Sequence, residues 1–146
     1  MHLTFEFLLE RGRAAVWQAF DNPDNLKKWQ PTLQFFEGIS GTPGQPGAVS
    51  RLTYREGSRT VVLTETIAIR QEPEEFAGTY DSGMAANTVH NRFEEAGADR
   101  TRWIITADFQ FQGIWRALGF LFRGSIRKRM VEDLNRFKQL LEAGEL

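Results

Sequence analysis

The strongest constraint on the fold is a change in hydrophobic period about three-quarters of the way along the chain. Before residue 112, apolar side chains recur at every second position in seven short segments, as Leu3, Phe5 and Phe7 do in the first. That period is typical of half-buried β-strands. From Ile114 to Ala143 the apolar residues instead recur at every third or fourth position, which indicates a long helix that buries one face.

The alternating segments predict seven strands, at residues 2–10, 32–40, 48–56, 59–71, 75–82, 85–95 and 101–111. The turn sequences EGSR, QEPEE, DSGM and EAGADR separate the last five segments and predict consecutive antiparallel hairpins. The segment GTPGQPG lacks the Lys and Ser/Thr of a phosphate-binding loop, so we interpret it as a flexible loop at a cavity rim.

Two short helices are predicted between the first two strands. Apolar residues recur at helical spacing in RAAVWQAF, and DNPDN supplies a stop followed by a new start, with Pro23 near a first helical position. The C-terminal helical segment contains Gly113, Gly119 and Gly124, so we expect a break or kink in its first turns.

Composition limits the class of protein. A chain of 146 residues is the usual size of one domain, so residues 1–146 are expected to form one. The net charge of −1 argues against a nucleic-acid partner, and the absence of cysteine excludes disulfides and thiol catalysis. No apolar run approaches the roughly 18 residues of a membrane span, and residues 1–10 lack the features of a signal peptide. A cytoplasmic location is therefore expected.

No metal, cofactor or nucleophile site is predicted. His2 and His90 have no Cys or His companion at metal-ligand spacing, and His90 falls on the polar face of its strand. Ser82 and Ser125 have no plausible His partner for nucleophilic catalysis.

The hairpin turns also predict which residues face each other. Two-residue loops at 57–58 and 83–84 place Ser50 opposite Glu65 and Tyr80 opposite Asn87. The acidic-proline turn, if it pairs Ile69 with Phe76, places Glu65 opposite Tyr80. We call Ser50, Glu65, Tyr80 and Asn87 the polar row, because they cross four strands on the otherwise apolar inner face.

Glu65 is the most informative member of the polar row. A buried carboxylate without partners costs several kcal/mol or becomes protonated, so its pKa should be raised. Three interpretations remain open: Glu65 and Tyr80 form a structural pair, the register slips and Glu65 is solvated, or the polar row orients a ligand.

Trp29 lies where the second short helix must end, in KKWQP. Pro31 prevents the helix from continuing, so the indole is expected to turn toward the gap between helices and sheet. It either lines the cavity mouth or seals the core against Trp17 or Phe36.

The segment IWRALGFLFRGSIRKRM combines aromatic and basic residues. It resembles an amphipathic surface for anionic lipid, but we favour the structural interpretation, in which its apolar side packs on the sheet and its basic side faces solvent.

The element order and four local segments, AVWQAFDNPDNLKKWQP, PGAVSRLTY, RQEPEEFAGTY and NRFEEAGADRTRW, resemble the SRPBCC superfamily of START-like helix-grip proteins, and within it the polyketide cyclase/dehydrase and lipid-transport-like group. The resemblance implies an α+β fold, with a seven-stranded antiparallel sheet wrapped around a long C-terminal helix and two short helices after the first strand. It also implies a cavity between sheet and helix, but no catalytic motif of the group is recognisable here.

The predicted function is binding or transport of a small apolar or amphipathic molecule in that cavity. The alternatives are a polyketide cyclase or dehydratase that uses Glu65 as general acid or base, and a regulatory or stress protein with a vestigial pocket. The sequence identifies neither the ligand nor the oligomeric state. The candidate ligand-binding residues are Trp29, Phe36, Tyr54, Glu65, Tyr80, Asn87, Asn91, Trp103, Phe109, Phe111, Trp115 and Phe122.

Overall fold

The computed structural model describes all residues from 1 to 146 and has the predicted order of elements. The strands are β1 (His2–Leu9), β2 (Leu33–Ser40), β3 (Val49–Glu56), β4 (Arg59–Gln71), β5 (Glu75–Asp81), β6 (Ala85–Glu95) and β7 (Thr101–Phe111). The helices are α1 (Arg13–Asp21), α2 (Leu26–Trp29), α3 (Trp115–Leu118) and α4 (Arg123–Glu142). Single 3₁₀ turns occupy Pro23–Asn25 and Gly119–Phe122.

The seven strands form one antiparallel sheet in the order β1-β7-β6-β5-β4-β3-β2. Helix α4 packs on the inner face of this sheet, where Leu134, Phe137 and Leu141 are buried. The predicted fold class is therefore confirmed.

The hairpin registers match the prediction at the polar row. Glu65 pairs with Ser50 on one side and with Tyr80 on the other, and Tyr80 pairs with Asn87. The premise that Ile69 faces Phe76 is wrong, because Ile69 pairs with Ala77. A β-bulge between Ile67 and Ile69 adds one residue to β4 and shifts the register by one. This shift cancels the one-residue error at the turn, so Glu65 still pairs with Tyr80.

The turn between α1 and α2 forms as the sequence DNPDN predicts. The Asn22 side chain accepts a hydrogen bond from the Asp24 amide at 3.0 Å and caps the 3₁₀ turn, in which Pro23 occupies a first position. The Asn25 side chain is buried and donates to the Ala19 carbonyl at 3.0 Å. These bonds fix the two helices as one unit against the sheet.

The core is aromatic and occupies one end of the molecule. Phe137 of α4 is fully buried, with its ring centroid 5.0 Å from that of Trp103 on β7 and 5.3 Å from that of Trp29. The main cluster of buried residues comes from β1, α1, α2, β6, β7 and α4. Buried residues of β2 to β5, such as Leu52 and Ile67, lie outside that cluster. The inner face of β3 and β4 therefore lies outside this aromatic cluster.

The C-terminal helical segment breaks where its glycines predict. A Cβ atom on Gly119 would lie 2.4 Å from Cγ of Phe111, so only glycine allows the backbone to approach that ring. The chain turns there from α3 through a 3₁₀ turn into α4, which has 20 residues. No helix combines the length and the hydropathy needed to cross a membrane.

Candidate functional site

A cavity of about 540 Å³ lies between the sheet and α4. It occupies the space that the aromatic core leaves free, and strands β2 to β7 form one wall while α1, α2 and α4 contribute the other. Its walls are mainly apolar, with Leu52, Leu63, Ile67 and Val89 on the sheet side. Binding sites for small molecules have volumes of about 300–1,000 Å³, so this cavity is large enough for one.

Most of the predicted ligand-binding residues line this cavity. Nine of the twelve do so: Trp29, Phe36, Tyr54, Glu65, Tyr80, Asn87, Asn91, Trp103 and Phe109.

Phe111, Trp115 and Phe122 lie outside the cavity lining, contrary to the prediction. The ring of Trp115 packs on that of Phe122 with centroids 5.5 Å apart, and Phe111 lies against Gly119. The close approach at Gly119 places the start of the helical segment on the end of β7, so Trp115 and Phe122 pack on each other outside the cavity lining.

Among the carboxylates that line the cavity, only Glu65 has no ion pair with a cationic side chain. Its side chain is 8% exposed, faces the cavity and forms no ion pair with any Arg, Lys or His. Burial raises the pKa of the Glu65 carboxyl, and hydrogen bonding with the Tyr80 hydroxyl partly opposes that shift. The solvated interpretation of Glu65 is therefore wrong, and the predicted direction of its pKa shift is confirmed.

Two phenols stand beside Glu65. Burial, together with the charge of Glu65, raises the pKa of both Tyr54 and Tyr80 above the usual value, so both hydroxyls remain protonated at neutral pH. The Tyr54 hydroxyl donates to Oε1 of Gln30 at 2.7 Å, which ties β3 to the end of α2. The cavity thus contains protonated hydroxyls next to an acidic group.

Sequence reasoning missed Asp133, a half-buried carboxyl in the lining. It lies on α4 and accepts a hydrogen bond from Nη1 of Arg136 at 3.0 Å. Burial raises its pKa to about 6, outweighing the nearby Arg129 and Arg136. The signal was available, because Asp133 follows Met130 by three residues and precedes Phe137 by four on the apolar stripe of the helix.

The side chains of Asn91 and Trp103 form a hydrogen bond with each other. The Trp103 indole donates to Oδ1 of Asn91 at 3.0 Å, and the Asn91 amide donates to the Phe76 carbonyl at 3.4 Å. Both residues touch the cavity, but their polar groups are already used in the wall. By contrast, Oδ1 of Asn87 is buried without a partner.

Trp29 belongs to both the cavity lining and the core. It is 6% exposed, and its ring packs on those of Phe20 and Phe137, not on Trp17 or Phe36. Its Nε1–H is buried without an acceptor. The indole therefore lies between the aromatic core and the cavity.

The rim of the cavity is fixed by an ion pair. Arg70 donates from both terminal nitrogens to the carboxylate of Asp21, at 2.6 and 2.8 Å, and also to the Gly44 carbonyl at 3.4 Å. Arg70 thereby links the end of α1 to the glycine- and proline-rich loop at residues 41–47, which lines the cavity as predicted.

The chemistry available in the cavity is that of acids and hydroxyls. The structure contains no group of three or more His, Cys, Asp or Glu side chains arranged to hold a metal ion. His2 and His90 pair with Asp108 and Glu75, away from the lining. Carboxyls with raised pKa values beside phenols can orient a polar group or exchange a proton with it.

Comparison with known proteins gives one family match. The family model described as "Polyketide cyclase / dehydrase and lipid transport" matches residues 3–142. No curated protein matches the sequence.

Solved structures share the fold at low sequence identity. The Zhui aromatase/cyclase from Streptomyces sp. R1128 has a TM-score of 0.82 and 16% identity, covering 97% of this chain and 93% of that one. Ara h 8.0201 has a TM-score of 0.80 and 16% identity, covering 98% of each chain. NE0264 from Nitrosomonas europaea has a TM-score of 0.77 and 15% identity, covering 99% and 96%.

Proposed function

Because the chain belongs to the polyketide cyclase/dehydrase and lipid transport family, we propose that it binds a small apolar or amphipathic molecule between the sheet and α4. The observation that best supports this proposal is the cavity of about 540 Å³, whose apolar walls are crossed by the polar row. Apolar walls with a few polar groups are typical of small-molecule sites. Family membership also confirms the resemblance inferred from the sequence.

The charges of the lining favour a ligand whose polar end is neutral. Both cationic side chains in the lining are paired, Arg70 with Asp21 and Arg129 with Glu56. Glu65 has no cationic partner, so an anionic ligand would meet its charge with no free cation to balance it. A hydroxyl or carbonyl group can instead bond with Glu65, the phenols or the unpartnered Asn87.

A second candidate function is catalysis of a cyclase or dehydratase type. The observation that favours it is the buried Glu65 beside Tyr80, with a carboxyl pKa raised toward the range used by general acids and bases. In such a reaction Glu65 would transfer the proton, while Tyr80 and Asn87 would orient a carbonyl. The open cavity counts against a vestigial pocket, which side chains would fill.

The test is displacement of a fluorescent apolar probe by matched ligands, naphthalenemethanol and naphthoic acid. We expect the alcohol to bind with micromolar affinity and the acid about ten-fold more weakly, which corresponds to about 1.4 kcal/mol. Glu65→Gln keeps the shape of the side chain and removes its charge, so it should narrow the difference between acid and alcohol. The matched control is Glu6→Gln, which removes the same charge from an exposed pair with Arg102 at 3.0 Å.

Failure of the probe and both ligands to bind would refute the binding function. Equal affinity for acid and alcohol would retain binding but refute the preference for a neutral ligand. Conversion of a polyketide-like substrate by the wild type and not by Glu65→Gln would establish the enzyme instead of the carrier.

A further inference from the structure

The segment between β7 and α4 exposes an unusual amount of apolar surface. Ile114 is 73% exposed, Phe120 71%, Leu121 64% and Leu118 42%. These four residues, which we call the apolar patch, lie within eight positions of one another. Large contiguous apolar patches on a folded protein mark sites of interaction. The favoured interpretation from sequence, in which these residues pack on the sheet, is therefore wrong for the apolar patch.

The apolar patch is held outward by the packing beneath it. Gly119 lies directly against the Phe111 ring, and Trp115 packs on Phe122 on the inner side of the segment. Phe111 in turn stacks on Phe109 with centroids 6.5 Å apart, and Phe109 lines the cavity. The rings of Phe111 and Phe109 thus connect the backbone beneath the apolar patch to the cavity wall.

The chain segment that contains the apolar patch carries only positive charge. From Gly113 to Val131 the chain has five basic residues and no acidic one. Lys128 lies 4.0 Å from Glu132, and Arg129 pairs with Glu56. The other three, Arg116, Arg123 and Arg127, are exposed and form no ion pair with a carboxylate.

We propose that the apolar patch and these three arginines dock the protein on an anionic lipid surface. Exposed aromatic and aliphatic side chains insert at the boundary between headgroups and acyl chains, and adjacent arginines attract anionic headgroups. A second copy of the chain fits less well, because a symmetric contact through this surface would bring arginines of equal charge together. A lipid surface satisfies both the apolar and the charged side chains.

The test is co-sedimentation with vesicles of phosphatidylcholine, with and without about one-third phosphatidylglycerol. Wild-type protein should bind the anionic vesicles and release them at high salt, because screening weakens the attraction. Trp115 borders the apolar patch while the other tryptophans are buried, so docking should shift tryptophan emission to shorter wavelength. The double variant Phe120→Ser/Leu121→Ser should bind about ten-fold more weakly, since both side chains are exposed and insert.

Matched control variants distinguish docking through the apolar patch from the loss of any exposed aromatic side chain. Phe35→Ser removes an aromatic side chain that is 59% exposed on β2, and it should leave vesicle binding unchanged. Arg116→Gln/Arg123→Gln should weaken binding to anionic vesicles only. Binding that is equal for neutral and anionic vesicles, or that survives in the Phe120/Leu121 variant, would overturn the proposal. So would a wild-type dimer that ignores vesicles and dissociates in the same variant, which would identify a second copy as the occupant.

Discussion

Replacing Asp133 with Asn should stabilise the protein at neutral pH. The fold raises the pKa of Asp133 from 3.8 to about 6 because burial disfavours the charged form. A tenfold change in an ionisation constant corresponds to about 1.4 kcal/mol, so the full shift would cost the folded protein about 3 kcal/mol once the group is ionised in both states. The side chain keeps 16% exposure, and solvent screening reduces the expected gain to about 1.5 kcal/mol.

The sign of the effect fixes its pH dependence. Between pH 3.8 and about 6 the folded state holds a proton on Asp133 that the unfolded state has released, so the wild type loses stability as pH rises through this window. Asp133→Asn has no such loss, and the two proteins should have equal stability at the acidic end. Urea denaturation at several pH values measures the difference.

The control for Asp133 is Asp24→Asn, which changes an exposed carboxylate in the 3₁₀ turn before α2. It should show no comparable gain at neutral pH. A free-energy difference between Asp133→Asn and the wild type that stays constant with pH, or a variant less stable than the wild type at about pH 8, would refute the reasoning.

Two further predictions concern the cavity wall and the break before α4. Asn91→Leu leaves the buried Trp103 indole without its acceptor and should lower the free energy of unfolding by about 2 kcal/mol. The double variant Asn91→Leu/Trp103→Phe should lose less stability than the sum of the losses in the two single variants. Urea denaturation of the wild type, both single variants and the double variant checks this. Gly119→Ala forces a Cβ atom against the Phe111 ring and should cost about 1–3 kcal/mol in thermal or urea unfolding. Gly124→Ala, with open space around it, should instead be neutral or stabilising by up to about 1 kcal/mol, and equal effects at the two glycines would contradict this account.

The hairpins were predictable because their turns are short and chemically explicit. Loops of two residues leave one register for the flanking strands, so they place Ser50 opposite Glu65 and Tyr80 opposite Asn87 without any knowledge of the tertiary structure. The pairing of Glu65 with Tyr80 was inferred from a wrong premise at the acidic-proline turn, and it is correct only because the bulge in β4 offsets that error. The bulge near Ile69 has no comparable signature, since no glycine or proline marks it.

The cavity residues outside the hairpins were harder to predict, because they depend on how helices sit on the sheet. Asp133 lines the cavity because of the orientation of α4 about its own axis. Trp115 and Phe122 lie outside the lining because Gly119 closely approaches Phe111. The bond between Asn91 and Trp103 lies between these extremes, since the two are diagonal neighbours across β6 and β7. Cross-strand geometry therefore predicts contacts within the sheet, whereas contacts between layers depend on packing.

The position of β1 beside β7 affects the order in which the chain can assemble during synthesis. Strands β2 to β7 follow one another through short connections, so each can pair with its predecessor soon after it is made. Leu3, however, pairs with Ala107, and the ribosome adds about a hundred residues before that partner exists. During this interval Leu3, Phe5 and Leu9 form an apolar strand with a free edge, which makes the nascent chain most prone to aggregation near its N-terminus.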